Sequence, residues 1–159
     1  MFKKITSFFM AFMLFSLSIA YADYGYTEVD REVKYEEKND IITKFDDNEF
    51  NYPILLSDEY PMMSISNLAN VIGGSVENND TLVKDNIKIT YAAGNRLAVY
   101  GEGHLMLERT PANYGGEIYV PVSSVVPTLC YHMEFFRFSN PPVIEITTGT
   151  NYPEIENVI

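Results

Sequence analysis

Sliding the sequence along itself by 57 residues brings two stretches into register without a gap. A self-match of this kind limits the folds open to the chain more than any other feature, because it asks for one structural unit twice. Ile65 falls on Val122, Ser66 on Ser123, Leu68 on Val125, Ala69 on Val126 and Ile72 on Leu129. Val76 then falls on Met133 and Glu77 on Glu134, and Ile87, Ile89 and Thr90 fall on Ile144, Ile146 and Thr147. A helix face, the strand after it and a later alternating strand keep a single register.

The patterns within each copy are specific. Ile65, Leu68, Ala69 and Ile72 stand at i, i+3, i+4 and i+7, one face of a helix over 64–72. Ser64 or Ser66 can cap its start, and Gly73-Gly74 can end it. Short strands are expected at 52–56, 75–77 and 81–84, with Asn78-Asn79-Asp80 as a turn between the last two. Ile87 to Tyr91 alternates as a half-buried strand does. Arg96–Tyr100 and His104–Glu108 flank Gly101-Glu102-Gly103 as a hairpin, and Asn113-Tyr114-Gly115-Gly116 reads as a further turn. The second copy supplies a strand at 119–122, a helix over 123–129, and strands at 133–138 and 143–147. The expected fold is α+β: two similar strand–helix–strand–strand halves joined by a hairpin, with short helices packed on antiparallel sheets. Neither half has the apolar surface to stand alone, so the two are expected to share a core.

The N-terminus reads as a targeting segment. Lys3 and Lys4 precede an apolar run, Ile5 to Ala20, and Ala20-Tyr21-Ala22 places small residues where a signal peptidase needs them. The run is shorter than the roughly 20 residues that span a bilayer. Residues 1–22 are therefore expected to be a signal peptide, and the mature chain from Asp23 to lie in the extracytoplasmic space, secreted or at a cell surface, with no membrane association. Residues 23–50 hold 10 acidic and 4 basic side chains and are expected to form a mobile acidic arm or a weak edge element. The domain proper spans 51–149, and 150–159 form a C-terminal tail.

Charge removes one class of function. The chain carries 11 basic and 22 acidic residues, a net −11, and loss of Lys3 and Lys4 takes it to −13. That balance lacks the basic footprint of a nucleic-acid binder. One cysteine, Cys130, precludes an internal disulfide and any Cys-rich zinc site.

Ile118-Tyr119-Val120-Pro121-Val122, a short helix and Met133-Glu134 together resemble the repeated unit of the copper amine oxidase N-terminal-like domain. Met62-Met63-Ser64-Ile65, Gly73-Gly74, Val76-Glu77 and Ile87-Lys88-Ile89 resemble it in the first half. Gly94-Asn95, Leu107, Pro111 and Gly116 fit its linker. The chain departs from the pattern at Ser64, where the unit has proline, and at Cys130-Tyr131, where it has a helix-ending glycine. It also has Ser66 and Ser123 in place of an arginine, and no tryptophan. The resemblance implies a non-catalytic module of bacterial secreted or cell-surface proteins. It carries no catalytic residue, copper ligand or cofactor onto this chain.

Candidate chemistry is sparse. Cys130, His132 and Met133 are copper-liking types, but the only other histidine is His104. Alternation on a strand places His132 and Met133 on opposite faces, so Cys130 and Met133 are expected in the core and His132 on the surface. Asp46-Asp47-Asn48-Glu49 lacks the ligand spacing of a calcium loop. No nucleophile elbow, phosphate loop or dinucleotide fingerprint occurs. Eleven mature tyrosines leave a ring-lined ligand surface open, with Tyr91, Tyr100, Tyr114 and Tyr119 around the hairpin. The expectation is a non-enzymatic, cofactor-free binding or spacer module for a protein or cell-wall glycan partner. The alternative is a small extracytoplasmic hydrolase acting on cell-wall material, using some of the 22 carboxylates.

Overall fold

Ser64 is where a strand becomes a helix. Its extended backbone (φ −61°, ψ 144°) leaves the side chain free to accept the Asn67 N–H at 3.2 Å. This satisfies one of the donors a helix start would otherwise leave bare. The helix that follows, α1 (Ile65–Ile72), ends at Gly73 with φ 66°, a left-handed stop that glycine adopts without strain. Its expected apolar stripe is buried: Ile65, Leu68, Ala69 and Ile72, together with Val71.

The computed structural model describes residues 34–148. Residues 1–33, which include the expected signal peptide and the first part of the arm, and residues 149–159 lie outside the described residues. The strands are β1 (Tyr35–Lys38), β2 (Ile42–Phe45), β3 (Asn48–Phe50), β4 (Ile54–Ser57), β5 (Tyr60–Ser64), β6 (Ser75–Glu77) and β7 (Thr81–Lys84). They continue as β8 (Ile87–Thr90), β9 (Leu97–Tyr100), β10 (Gly103–Met106), β11 (Ala112–Tyr114), β12 (Glu117–Pro121), β13 (His132–Phe136) and β14 (Val143–Thr147). The second helix, α2 (Val122–Thr128), follows β12 directly.

This is an α+β fold with two short helices and three sheets among the described residues. The strand orders are β1-β4-β5-β12-β11, β10-β9-β8-β7-β6 and β13-β14-β2-β3. The first two are antiparallel throughout, whereas β14 and β2 run parallel, so the expectation of purely antiparallel sheets is corrected for the third. The strand β5 pairs with β12, setting Ser64 opposite Tyr119, Met63 opposite Val120 and Met62 opposite Pro121. Both helices turn toward one apolar interior, where Leu68, Val125, Leu82, Ile89, Ile144 and Ile146 are fully covered. Among the described residues no helix is long and apolar enough to cross a membrane.

The greatest departure from the sequence reading concerns the arm. Ile41 is 2% exposed and Thr43 fully buried, and β2 is an inner strand between β14 and β3. Residues 34–50 are therefore part of the fold, not a mobile arm; β1 and β3, each at a sheet edge, match a weak edge element, whereas β2 does not. The reason is geometric. Four residues, Ile-Thr-Lys-Phe, can build an inner strand when both neighbours supply hydrogen bonds, however charged the flanks are.

Two smaller corrections follow. Asn113 and Tyr114 belong to β11, so the turn shrinks to Gly115-Gly116 with φ 61° and 86°. Cys130, expected in the core, is exposed. It has φ 63°, and it stands where the shift by 57 places Gly73, just past a helix end. A side chain at such a left-handed stop points away from the helix it ends. Met133 is half-buried against the core rather than fully inside it.

Candidate functional site

The turn between β4 and β5 has only two residues, Asp58 and Glu59. Both have positive φ, 45° and 77°. Two-residue hairpin turns with both φ positive favour Asn-Gly, Asp-Gly or Gly-Gly: aspartate is accepted at the first position, but the second asks for glycine, because a Cβ in the left-handed region costs about 1–2 kcal/mol. The turn between β11 and β12 meets that demand with Gly115-Gly116, and the shift by 57 sets those glycines on Asp58-Glu59. The first turn thus keeps Glu59 at a backbone cost that its counterpart avoids. Strain of this kind collects at functional sites.

Asp58 and Glu59 stand at a half-open groove of about 510 Å3. Its apolar lining comes from Ile41, Leu56, Phe135 and Pro142, and its polar wall from β1 and its flanks, Lys34, Glu36, Lys38 and Asp40. Arg137 and Phe138, between β13 and β14, complete the lining. Arg137 grips Glu59 as a fork: Nη1 lies 2.6 Å from Oε2 and Nη2 2.8 Å from Oε1. Paired donors of this shape suit a carboxylate. The hydrogen bond from Arg137, and then its charge, hold the Glu59 carboxyl below the usual range; Arg137 is raised in return. The guanidinium also lies 4.8 Å from the centroid of the Phe138 ring, and Phe138 is 90% exposed. On the other side of the turn, Arg109 lies 4.1 Å from the Tyr60 ring centroid and 4.0 Å from Asp58. On β1, Lys38 pairs with Glu36 at 2.5 Å.

The four tyrosines do not form one surface. Tyr91 is 2% exposed, its hydroxyl is buried without a partner, and burial pushes its pKa up. Tyr119, on β12, is buried too and meets Tyr114 edge to face at 5.8 Å. Tyr114 is exposed, but its hydroxyl donates to Glu37 at 2.8 Å, which raises its pKa. Tyr100 is exposed on a different sheet, at the end of β9. Only Tyr114 and Tyr119 touch, and Tyr91 and Tyr119 serve the core.

His132 is exposed and its Nε2 lies 3.0 Å from Oε1 of Glu134, while His104 sits on β10 in another sheet. Among the described residues no three His, Cys, Asp or Glu side chains gather to hold a metal ion. In the loop after β2, the Asp46 carboxylate accepts the backbone N–H and the hydroxyl of Thr148, each at 2.9 Å. The residues of the groove went unread in the sequence. The available signal was the alignment of Asp58-Glu59 with a glycine pair.

Comparison of the chain with models of known protein families, with curated proteins and with solved structures gives no match.

Proposed function

We propose that the chain is a secreted, non-catalytic binding or spacer module of the extracytoplasmic space, and that its ligand, a cell-wall glycan or a protein segment, lies in the groove beside Arg137 and Phe138. The observation that carries this reading is the strained second position of the Asp58-Glu59 turn: a conformation that suits glycine is kept for Glu59, whose carboxylate is gripped by Arg137. An exposed ring such as Phe138 offers a stacking platform, and the Glu59–Arg137 fork holds that platform's neighbour in place.

The same reading treats the chain as a divergent copper amine oxidase N-terminal-like domain built from two related halves. Support for the repeat lies in the register. The shift by 57 carries β5 onto β12 and the first residue of α1 onto that of α2, and it exchanges the pair Ser64–Tyr119 with the pair Pro121–Met62. An approximate two-fold axis through Met63 and Val120 would relate them. The halves then diverge, since β7 separates β6 from β8 while β13 and β14 are neighbours.

A hydrolase is the second reading, favoured by the four carboxylates Glu36, Asp40, Asp58 and Glu59 at the groove. A general acid needs a carboxyl held above its usual range. Glu59 is moved the other way, as an ionised partner of arginine is. Its fork with Arg137 is complete at neutral pH and is lost as acid protonates Glu59.

Titration of the full chain with soluble peptidoglycan fragments tests the proposal. Phe138→Ala is expected to weaken binding about tenfold, the equivalent of about 1.4 kcal/mol. A double variant with Asp58→Gly and Glu59→Gly should also bind poorly, yet melt at a higher temperature, since relief of the turn is worth about 1 kcal/mol and an exposed ion pair contributes little. No binding by the parent chain, or binding that neither variant alters, defeats the groove as the site. Cleavage of the fragments promotes the hydrolase. Export is tested separately: the N-terminal sequence of protein recovered outside the cytoplasm is expected to begin at Asp23, and a chain that keeps Met1 to Ala22 in the membrane fraction refutes it.

A further inference from the structure

We propose that β10 is a self-association edge, on which a second copy of this chain adds its own β10 to make one continuous sheet across a two-fold axis. The geometry starts from the β9–β10 hairpin. Its two-residue turn, Gly101-Glu102, has Gly101 at φ 58°, and it sets Gly103 opposite Tyr100, His104 opposite Val99, Leu105 opposite Ala98 and Met106 opposite Leu97. The Leu107 N–H donates to the Arg96 carbonyl at 2.9 Å. In an antiparallel ladder, residues that exchange hydrogen bonds with the neighbour alternate with residues that do not. Gly103, Leu105 and Leu107 therefore bond toward β9. The N–H and C=O groups of His104 and Met106 point the other way, to an edge on which no described strand pairs.

That edge is complementary to itself. With Leu105 opposite Leu105 of the second copy, each His104 lies opposite the other copy's Met106. Four backbone hydrogen bonds then form around the axis. The side chains agree. Leu97, Val99, His104 and Met106 share the outer face of the hairpin, where Met106 is 62%, Val99 47% and Leu97 42% exposed. Pairing would join them into one band of Val99, His104, Met106 and Leu97 running from copy to copy.

Charge singles out this edge as the one on which two copies can meet. Natural sheet edges are commonly guarded by charged side chains or proline. Here β1 carries Glu36, Glu37 and Lys38, β3 carries Glu49, β6 carries Glu77 and β13 carries Glu134. On β10, Gly-His-Leu-Met has none of these guards. The remaining edge, β11, is only three residues long, and its Tyr114 is tied to Glu37. Two mature copies, each with net charge −13 once Lys3 and Lys4 are lost, repel one another over most of their surface. Along the hairpin from Ala92 to Leu107 the fixed charges are Arg96 and Glu102, which cancel.

Sedimentation equilibrium of the mature chain, from Asp23 onward, over a dilution series provides the test, with hydrogen exchange of the His104 and Met106 amides as a second readout. The average mass is expected to rise with concentration from that of one copy toward twice that value, and the two amides to gain protection in step. Met106→Pro removes an outward N–H that the hairpin itself does not use, and Met106→Lys places a charge on the edge. Both variants are expected to stay monomeric at every concentration while melting like the parent. The proposal is overturned by a parent chain that stays monomeric, or by a dimer that both variants leave intact. Amides protected equally at all dilutions would mean that the chain covers its own edge. Amides protected only when an apolar strand-forming peptide is added to a monomer would assign the edge to a foreign strand. Either result also overturns self-pairing.

Discussion

Replacing Leu68 by alanine is expected to destabilise the protein by roughly 2–5 kcal/mol, the cost of emptying a fully buried leucine site. The side chain is 0% exposed in the interior that both helices share. Since domains of this size retain only about 5–15 kcal/mol in total, thermal melting should shift down by on the order of 10 °C. Val125→Ala, at the matching position of α2, is also buried and should lower the melting temperature by less, because one fewer carbon is removed. Phe138→Ala, a larger truncation at a 90% exposed position, should leave melting unchanged. If Leu68→Ala melts like the parent, the two helices do not share a core.

The second large effect is expected at Gly74. A Cβ on this residue would lie 2.5 Å from the carbonyl oxygen of Val83, a backbone atom fixed by the pairing of β6 with β7. No flexible side chain can yield there, so the strand or the end of α1 must move. The cost of Gly74→Ala is placed at about 3 kcal/mol, the upper end for overpacked sites. Gly73→Ala differs in kind. Its nearest neighbour to a new Cβ, the Lys84 Nζ at 4.0 Å, gives no clash, and the penalty is conformational, from φ 66°. It should cost about 1 kcal/mol. Chemical denaturation of both variants checks the order, and a Gly74→Ala protein as stable as Gly73→Ala contradicts it.

What could be read ahead of the structure depended on whether signal and consequence lay close together in the chain. The helix α1 was legible because a serine cap, an apolar stripe and a glycine stop all fall within ten residues or so. Strand β2 was not. Its four residues hold a lysine and a threonine, and its parallel partner β14 lies far along the chain. Periodicity carries no information about such a neighbour. Cys130 shows the reverse error: cysteine is commonly buried, but a left-handed backbone decided its orientation. The groove is assembled from the β1 region, the β4–β5 turn and the segment after β13, each of which reads alone as a solvated polar stretch. Tyr100 and Tyr114 are close in the chain yet lie in different sheets, because strand order, not chain order, sets neighbourhood.

The parallel contact between β2 and β14 also governs when this molecule can fold. Strand β2 needs β14 as its neighbour, and Thr148 closes onto Asp46 from 102 positions away. A chain still emerging from a ribosome has no such partner until residues 143–147 have been made, so Thr43 keeps one open flank until then. Pairing over so long a loop is slow. The fold is thereby timed to the synthesis of β14, and a product cut short before Val143 would expose an unfinished sheet to proteases instead of passing as a smaller native protein.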